Sequence, residues 1–280
     1  MSKRKNDSIG EGIEMKMKKF AVAAAIAMMG MSLMACGGKK TAESAAESKA
    51  EGAASVKTVS AGKLIMATNA EFPPYEYHEG NEIKGIDVEI CRAVAEKLGL
   101  ELQIEDVAFD AIIPEVASGK ADLAAAGMTV TEDRKQNMDF SDTYATSIQL
   151  ILVQENSSIA GKEDLSGKKI GVQLGTTSDL FSTEDFGEDS VVRYSKSMEA
   201  VQALTQGKID AVIVDSQTAK EFVNEVKGIK ALDSSYSDEA YAIGVKKGNT
   251  ELLNAVNAAL AELKSEGKLD EIAAKYTKTE

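Results

Sequence analysis

The chain has 280 residues, a formal net charge of −13, 44% hydrophobic and 28% charged residues, one histidine, two cysteines and no tryptophan. An acidic balance with no basic patch and no basic residues interleaved with aromatics excludes a nucleic-acid partner, and two cysteines cannot staple a small disulfide scaffold. The sequence carries no phosphate-binding P-loop, nucleophile elbow or metal-ligand cluster, so no cofactor and no metal are expected.

Residues 1–35 read as a targeting segment. Lys16, Lys18 and Lys19 precede an apolar stretch, Phe20 to Ala35, that is too short to be a comfortable membrane span. Leu33, Met34, Ala35 and Cys36 resemble the lipobox of bacterial lipoproteins. That resemblance implies cleavage before Cys36, lipidation of its sulfur and attachment to the outer face of the cell membrane. Residues 36–60 are the lipidated cysteine and a tether of Gly, Ala, Ser, Thr, Lys and Glu, a composition too poor in apolar groups to offset its ordering entropy. Cys91 is then alone and is expected as a small buried residue on a helix.

Beyond the tether, strands and helices alternate. KLIMATN reads as a strand, GIDVEICRAVAEKLG as an amphipathic helix, ELQIEDVAF as a strand and DAIIPEVASGK as a short helix, a pattern that implies βαβ units on a parallel sheet. The segment FDAIIPEVASGKADLAAAGM is echoed by SMEAVQALTQGKIDAVIVDS: helix, Gly-Lys turn, Asp, apolar strand. Two similar lobes facing across a cleft explain the echo. Residues 61–145 form the first part of lobe 1, residues 146–238 lobe 2, and residues 239–280 the return to lobe 1. Crossings are expected near Tyr144 to Gln149 and Ser237 to Ile243.

The segment ADLAAAGMTVTEDR, Ala121 to Arg134, is a buried strand that ends in hydroxyls, an acidic pair and an arginine. With Thr131 as N-cap, Arg134 falls in a helical first turn, where the helix dipole disfavours a cation. Either it holds a bound carboxylate through a two-pronged hydrogen bond, or it pairs with Asp139 or Asp142. Gly175, Thr176, Thr177 and Ser178 follow the strand KKIGVQL and open a helix, exposing free N–H groups that suit an anion. Asp215 either caps the helix SQTAKEFVNEV or meets a ligand. His78, in the turn YEYHEGNEI, reads as an ordinary surface residue.

The motifs ATNAEFPPYEY, GIDVEI, FDAIIP, AAGMTVTEDR, MDFSDTY, DLSGKKIGVQLGTTS and GKIDAVIVDS together resemble the polar amino-acid substrate-binding proteins of bacterial ABC transporters, solute-binding protein family 3. The resemblance implies an α/β protein of the type II periplasmic-binding-protein fold, two α/β lobes joined by a two-segment hinge. The lobes close on a free amino acid, and the closed form, a monomer, docks on the permease transmembrane subunits. It places the ligand carboxylate on Arg134 and the N–H groups of Thr129 and Thr177. The ammonium falls to Asp215, the Thr129 hydroxyl and the Gly127 carbonyl. Phe72 and Phe109 become apolar walls, with Asn69, Glu71 and Gln173 near the tip of the ligand side chain. Asn69 stands where related receptors commonly carry aspartate. Glu71 with neutral acceptors and no cation at the tip favours a basic amino acid such as arginine or lysine. Two rivals remain: a cyclohexadienyl dehydratase-like enzyme on the same fold, with Glu71 or Asp215 as general acid, and a sensory or adhesive lipoprotein.

Overall fold

The computed structural model describes residues 56–277. The targeting segment, Cys36 and residues 36–55 of the expected tether lie outside the described residues. The chain joins the fold ahead of residue 61, because Val56 packs against the first hydrophobic core and the Val59 N–H donates to Asp122 at 2.7 Å.

In chain order the first lobe contains β1 (Lys63–Thr68), the short β2 (Glu71–Phe72), β3 (Glu76–Glu79) and β4 (Glu82–Lys84), α1 (Ile86–Lys97) and β5 (Glu101–Asp106). It continues with α2 (Phe109–Ser118), β6 (Leu123–Ala124), α3 (Glu132–Lys135) and β7 (Met138–Phe140). The second lobe comprises β8 (Ala145–Gln154), β9 (Ile170–Gln173), α4 (Thr177–Phe186), β10 (Val191–Tyr194), α5 (Ser197–Thr205), β11 (Ala211–Asp215), α6 (Ser216–Glu225) and β12 (Ile229–Tyr241). The chain then returns through β13 (Gly244–Lys246), α7 (Thr250–Ser265) and α8 (Lys268–Tyr276).

Each lobe is a sheet covered by helices. In lobe 1 the order is β5-β1-β6-β13-β7, with β1 parallel to β5 and β6 and β13 antiparallel to its neighbours. β1 is buried from Leu64 to Thr68, the near-continuous apolar run expected of a parallel strand covered on both sides. One face carries α1, α7 and α8, whose Val88, Cys91, Val94, Leu252, Val256, Leu260 and Ile272 share one core. The other carries α2 through Ile112 and Val116. Cys91 is fully buried there, as its helical position leads one to expect.

In lobe 2 the order is β10-β9-β11-β8-β12. The sequence echo falls on α2 with β6 and on α5 with β11, and Gly119 and Gly207 follow the two helices with φ of +80° and +68°. β8 and β12 run antiparallel and join the lobes, pairing Ala145 with Tyr241 and Ser147 with Glu239 near their lobe 1 ends. His78 differs from expectation in being part of β3, with its Nε2 2.8 Å from Asp106.

Candidate functional site

The carboxyl ends of the parallel strands of both lobes face one another, where ligand crevices form in open α/β sheets. Between them lies a cavity of about 470 Å³ lined by Asn69, Phe72, Phe109, Gly127, Thr129, Arg134, Gln173, Thr177 and Asp215, all singled out from the sequence. Its wall also includes Thr176 and Ser178 of the anion-suited run read from the sequence, and Gln149, Ser197 and Tyr241, which sequence reasoning missed.

Arg134 reaches the cavity because α3 is a single short turn. Thr131 caps it, accepting from the Arg134 N–H at 3.2 Å. The guanidinium is only 5% exposed and donates from Nη1 to the Thr129 carbonyl at 2.8 Å and from Nη2 to the Gly175 carbonyl of lobe 2 at 3.2 Å. It lies 5.5 Å from the centre of the Phe109 ring, a cation–π distance. Among the described residues no carboxylate is within ion-pair distance of it; Asp139 instead pairs with Lys247. Burial pulls the guanidinium pKa down to about 10, which still leaves it charged at neutral pH.

Asp215 caps a helix and also lines the cavity. Its Oδ1 caps α6, accepting from the N–H groups of Gln217 at 2.8 Å and Thr218 at 3.3 Å, while Oδ2 accepts from the hydroxyls of Ser147 and Tyr241. The carboxylate is 2% exposed, has no cation beside it among the described residues, and burial raises its pKa. The cavity thus holds one unpaired cation and one unpaired anion.

The polar end is a locked amide pair. The Asn69 amide nitrogen donates to the Val107 carbonyl at 2.8 Å, which turns Oδ1 toward Gln173; Gln173 Nε2 donates to that oxygen at 2.8 Å and to the Ser195 carbonyl at 3.1 Å. Ser197 closes the chain by donating to Gln173 Oε1 at 3.0 Å. Two backbone carbonyls therefore fix both amides, and the oxygens are the atoms left with spare hydrogen-bonding capacity. Phe72 stacks on Tyr75 at 5.3 Å and presses on Gly127, where a Cβ would meet the ring at 2.7 Å; with φ at +51°, only glycine fits.

Glu71 does not join this group. In β2 consecutive side chains leave opposite faces of the strand, so with Phe72 inside, Glu71 faces outward and forms an ion pair with Lys196 of lobe 2. The basic-ligand expectation cannot rest on it.

Beneath Gly127 lies a second buried group. Asp87 accepts from the Gly127 N–H at 2.8 Å and the Tyr144 hydroxyl at 2.6 Å. Glu76 adjoins it with both oxygens lacking a hydrogen-bond partner, and burial followed by the Asp87 charge holds its pKa well up. Burial also lifts Asp87, to about 6, leaving it ionised at neutral pH.

The sequence profile of the bacterial extracellular solute-binding proteins, family 3, matches residues 64–279. The chain belongs to this family. It is 31% identical over 266 residues to the arginine-binding extracellular protein ArtP of Bacillus subtilis, across 93% of this chain and 98% of that protein. Among solved structures, it superposes on an ancestral arginine-binding protein bound to arginine with a TM-score of 0.73 and 42% identity, across 78% of this chain and 99% of the other. An ancestral arginine-binding protein bound to glutamine gives a TM-score of 0.74 and 41% identity, across 77% and 98% of the two chains. The type II periplasmic-binding fold of this family-3 protein is therefore shown by sequence and structure together.

Proposed function

We propose that this family-3 protein captures a free polar amino acid outside the cytoplasm, with arginine, lysine or ornithine preferred, and delivers it to an ABC permease. One observation carries the reading: among the described residues Arg134 is a buried cation with no carboxylate within ion-pair distance, and it shares a cavity with Asp215, a buried carboxylate with no cation within that distance. A zwitterion supplies both missing partners at once, and leaving either charge buried and unpaired is costly. Thr177 opens α4, and its N–H is free to meet the same carboxylate.

The preference for a cationic side chain follows from charge. Around the cavity stand Asp215 and Glu239, with Asp87 behind Gly127, against Arg134 alone; a neutral zwitterion leaves that excess, and a basic amino acid reduces it. Asn69 and Gln173 offer acceptor oxygens to a donor-rich tip such as a guanidinium. No bond is broken in this reading. Glu71 lies outside the cavity and Asp215 accepts from four donors, so neither is poised to give a proton to a substrate. Cys36, outside the described residues, anchors the monomer by lipid to the outer face of the membrane. Among the described residues no helix is long and apolar enough to cross it.

A thermal-shift screen of the twenty amino acids and ornithine tests this. At ligand a thousandfold above Kd the stabilisation is about 4 kcal/mol, roughly 10 °C in Tm for a protein of this size. Arginine, lysine and ornithine are expected to give the largest shifts. If glutamate or a small apolar amino acid heads the ranking, the basic assignment is wrong; if none of them shifts Tm, the receptor reading itself fails.

A further inference from the structure

Glu239 has so far entered only as a negative charge near the cavity, yet it touches both halves of the site. It lies on β12, opposite Ser147 of β8, where the two joining strands run side by side. Its side chain is 3% exposed. Oε2 accepts from the hydroxyl of Thr129, which follows β6 in lobe 1, while Oε1 accepts from the hydroxyl of Thr177, the first residue of α4 in lobe 2, at 3.2 Å and from Ser237 at 3.0 Å. Among the described residues no lysine or arginine is within ion-pair distance; hydroxyl groups hold this buried carboxylate first, and the more distant Arg134 charge adds to them. Removing either threonine strips part of its solvation, a penalty larger than that of losing an ordinary hydrogen bond.

The two threonines line the cavity, and each has its proton committed. Thr177 Oγ1 accepts from the Gln149 amide at 2.7 Å and gives its own proton to Glu239. Thr129 gives its proton to the other carboxylate oxygen, which leaves only lone pairs for the cavity side and makes that hydroxyl an acceptor for an ammonium. Because the threonines sit on opposite lobes, both can reach one carboxylate only while the lobes are closed.

We infer that Glu239 is a positioning residue that latches the closed form, drawing the hydroxyl protons of Thr129 and Thr177 onto one carboxylate on the joining strand and so turning the Thr129 lone pairs toward the ligand ammonium. This rests on the amino-acid receptor reading above. A latch that engages after ligand entry slows escape and leaves entry alone, so its loss belongs in the dissociation rate.

The experiment is stopped-flow and calorimetric binding of L-arginine, with L-glutamine alongside, to wild type, Glu239→Gln, Thr177→Val and the double variant. A glutamine at 239 keeps the shape and retains one acceptor oxygen. Expected are dissociation rates raised about tenfold in each single variant, association rates changed less than twofold, and a ligand-free Tm within about 2 °C of wild type. The double variant should be no faster than the worse single one, since both break the same latch. Thr177→Val alone still tests the latch if Glu239→Gln does not fold. Unchanged dissociation, or rates that rise only in step with a lowered ligand-free Tm, overturns the inference. If wild type binds neither amino acid, the receptor reading fails instead, and the two failures are distinct.

Discussion

Arg134→Ala is expected to cut amino-acid affinity by roughly thirty-fold to several thousand-fold while the protein stays folded. Truncating one partner of a desolvated charge pair costs about 2 to 5 kcal/mol, and each 1.4 kcal/mol is about tenfold in Kd. The guanidinium is 5% exposed and its pKa is drawn down to about 10 by burial, so it is charged but poorly solvated. Its hydrogen bonds to the Thr129 and Gly175 carbonyls compensate that burial only in part, and removing them also removes the buried charge. The change in stability is therefore smaller than the change in binding. Calorimetry gives the affinity and a melting curve the stability. Unaltered Kd for the preferred amino acid would remove Arg134 from the site.

Asp215→Asn probes the other end of the zwitterion. Asparagine caps helices about as well as aspartate, and its oxygen can still accept from the Gln217 and Thr218 N–H groups, so α6 keeps its start. The Ser147 and Tyr241 hydroxyls can turn to accept from the amide. What disappears is the negative charge, and affinity should fall by about 2 kcal/mol or more, some thirty-fold. The pH dependence has a definite sign. Burial raises the Asp215 pKa, and a bound ammonium favours the ionised form, so wild-type affinity weakens as pH falls through that raised value. Asp215→Asn lacks this acid limb. An equal acid-side loss of binding in wild type and variant would assign the limb to another group.

What could be read from the sequence was what lies along one stretch of chain. Ala121 to Arg134 carries a buried strand, its polar end and a capped turn in order, and the structure brings Gly127, Thr129 and Arg134 to one wall. Gly175 to Ser178 is legible for the same reason. Asp215 sits last in β11 and caps α6, so its two competing readings are compatible. Residues contributed by the joining strands were hidden. Gln149 faces the cavity from within an apolar run, IQLILV, where a lone polar side chain was the signal, and it binds Thr177 and Ser178. Glu239 stands in SDEA, where an acidic residue looks like solvated surface; only the pairing of β12 with β8 places it between two lobes. Glu71 was misplaced because a two-residue strand gives no alternation to fix which side chain faces in. Its ion pair with Lys196 depends on a contact across 125 positions of sequence.

The most direct measurement is a calorimetric titration of the protein with L-arginine and, separately, with agmatine, which keeps the guanidinium and chain but lacks the α-carboxylate. If Arg134 and Asp215 clamp a zwitterion, L-arginine binds one to one, and agmatine, leaving Arg134 buried and unpaired, binds about a hundredfold or more weakly. Agmatine binding as tightly as L-arginine would contradict the account.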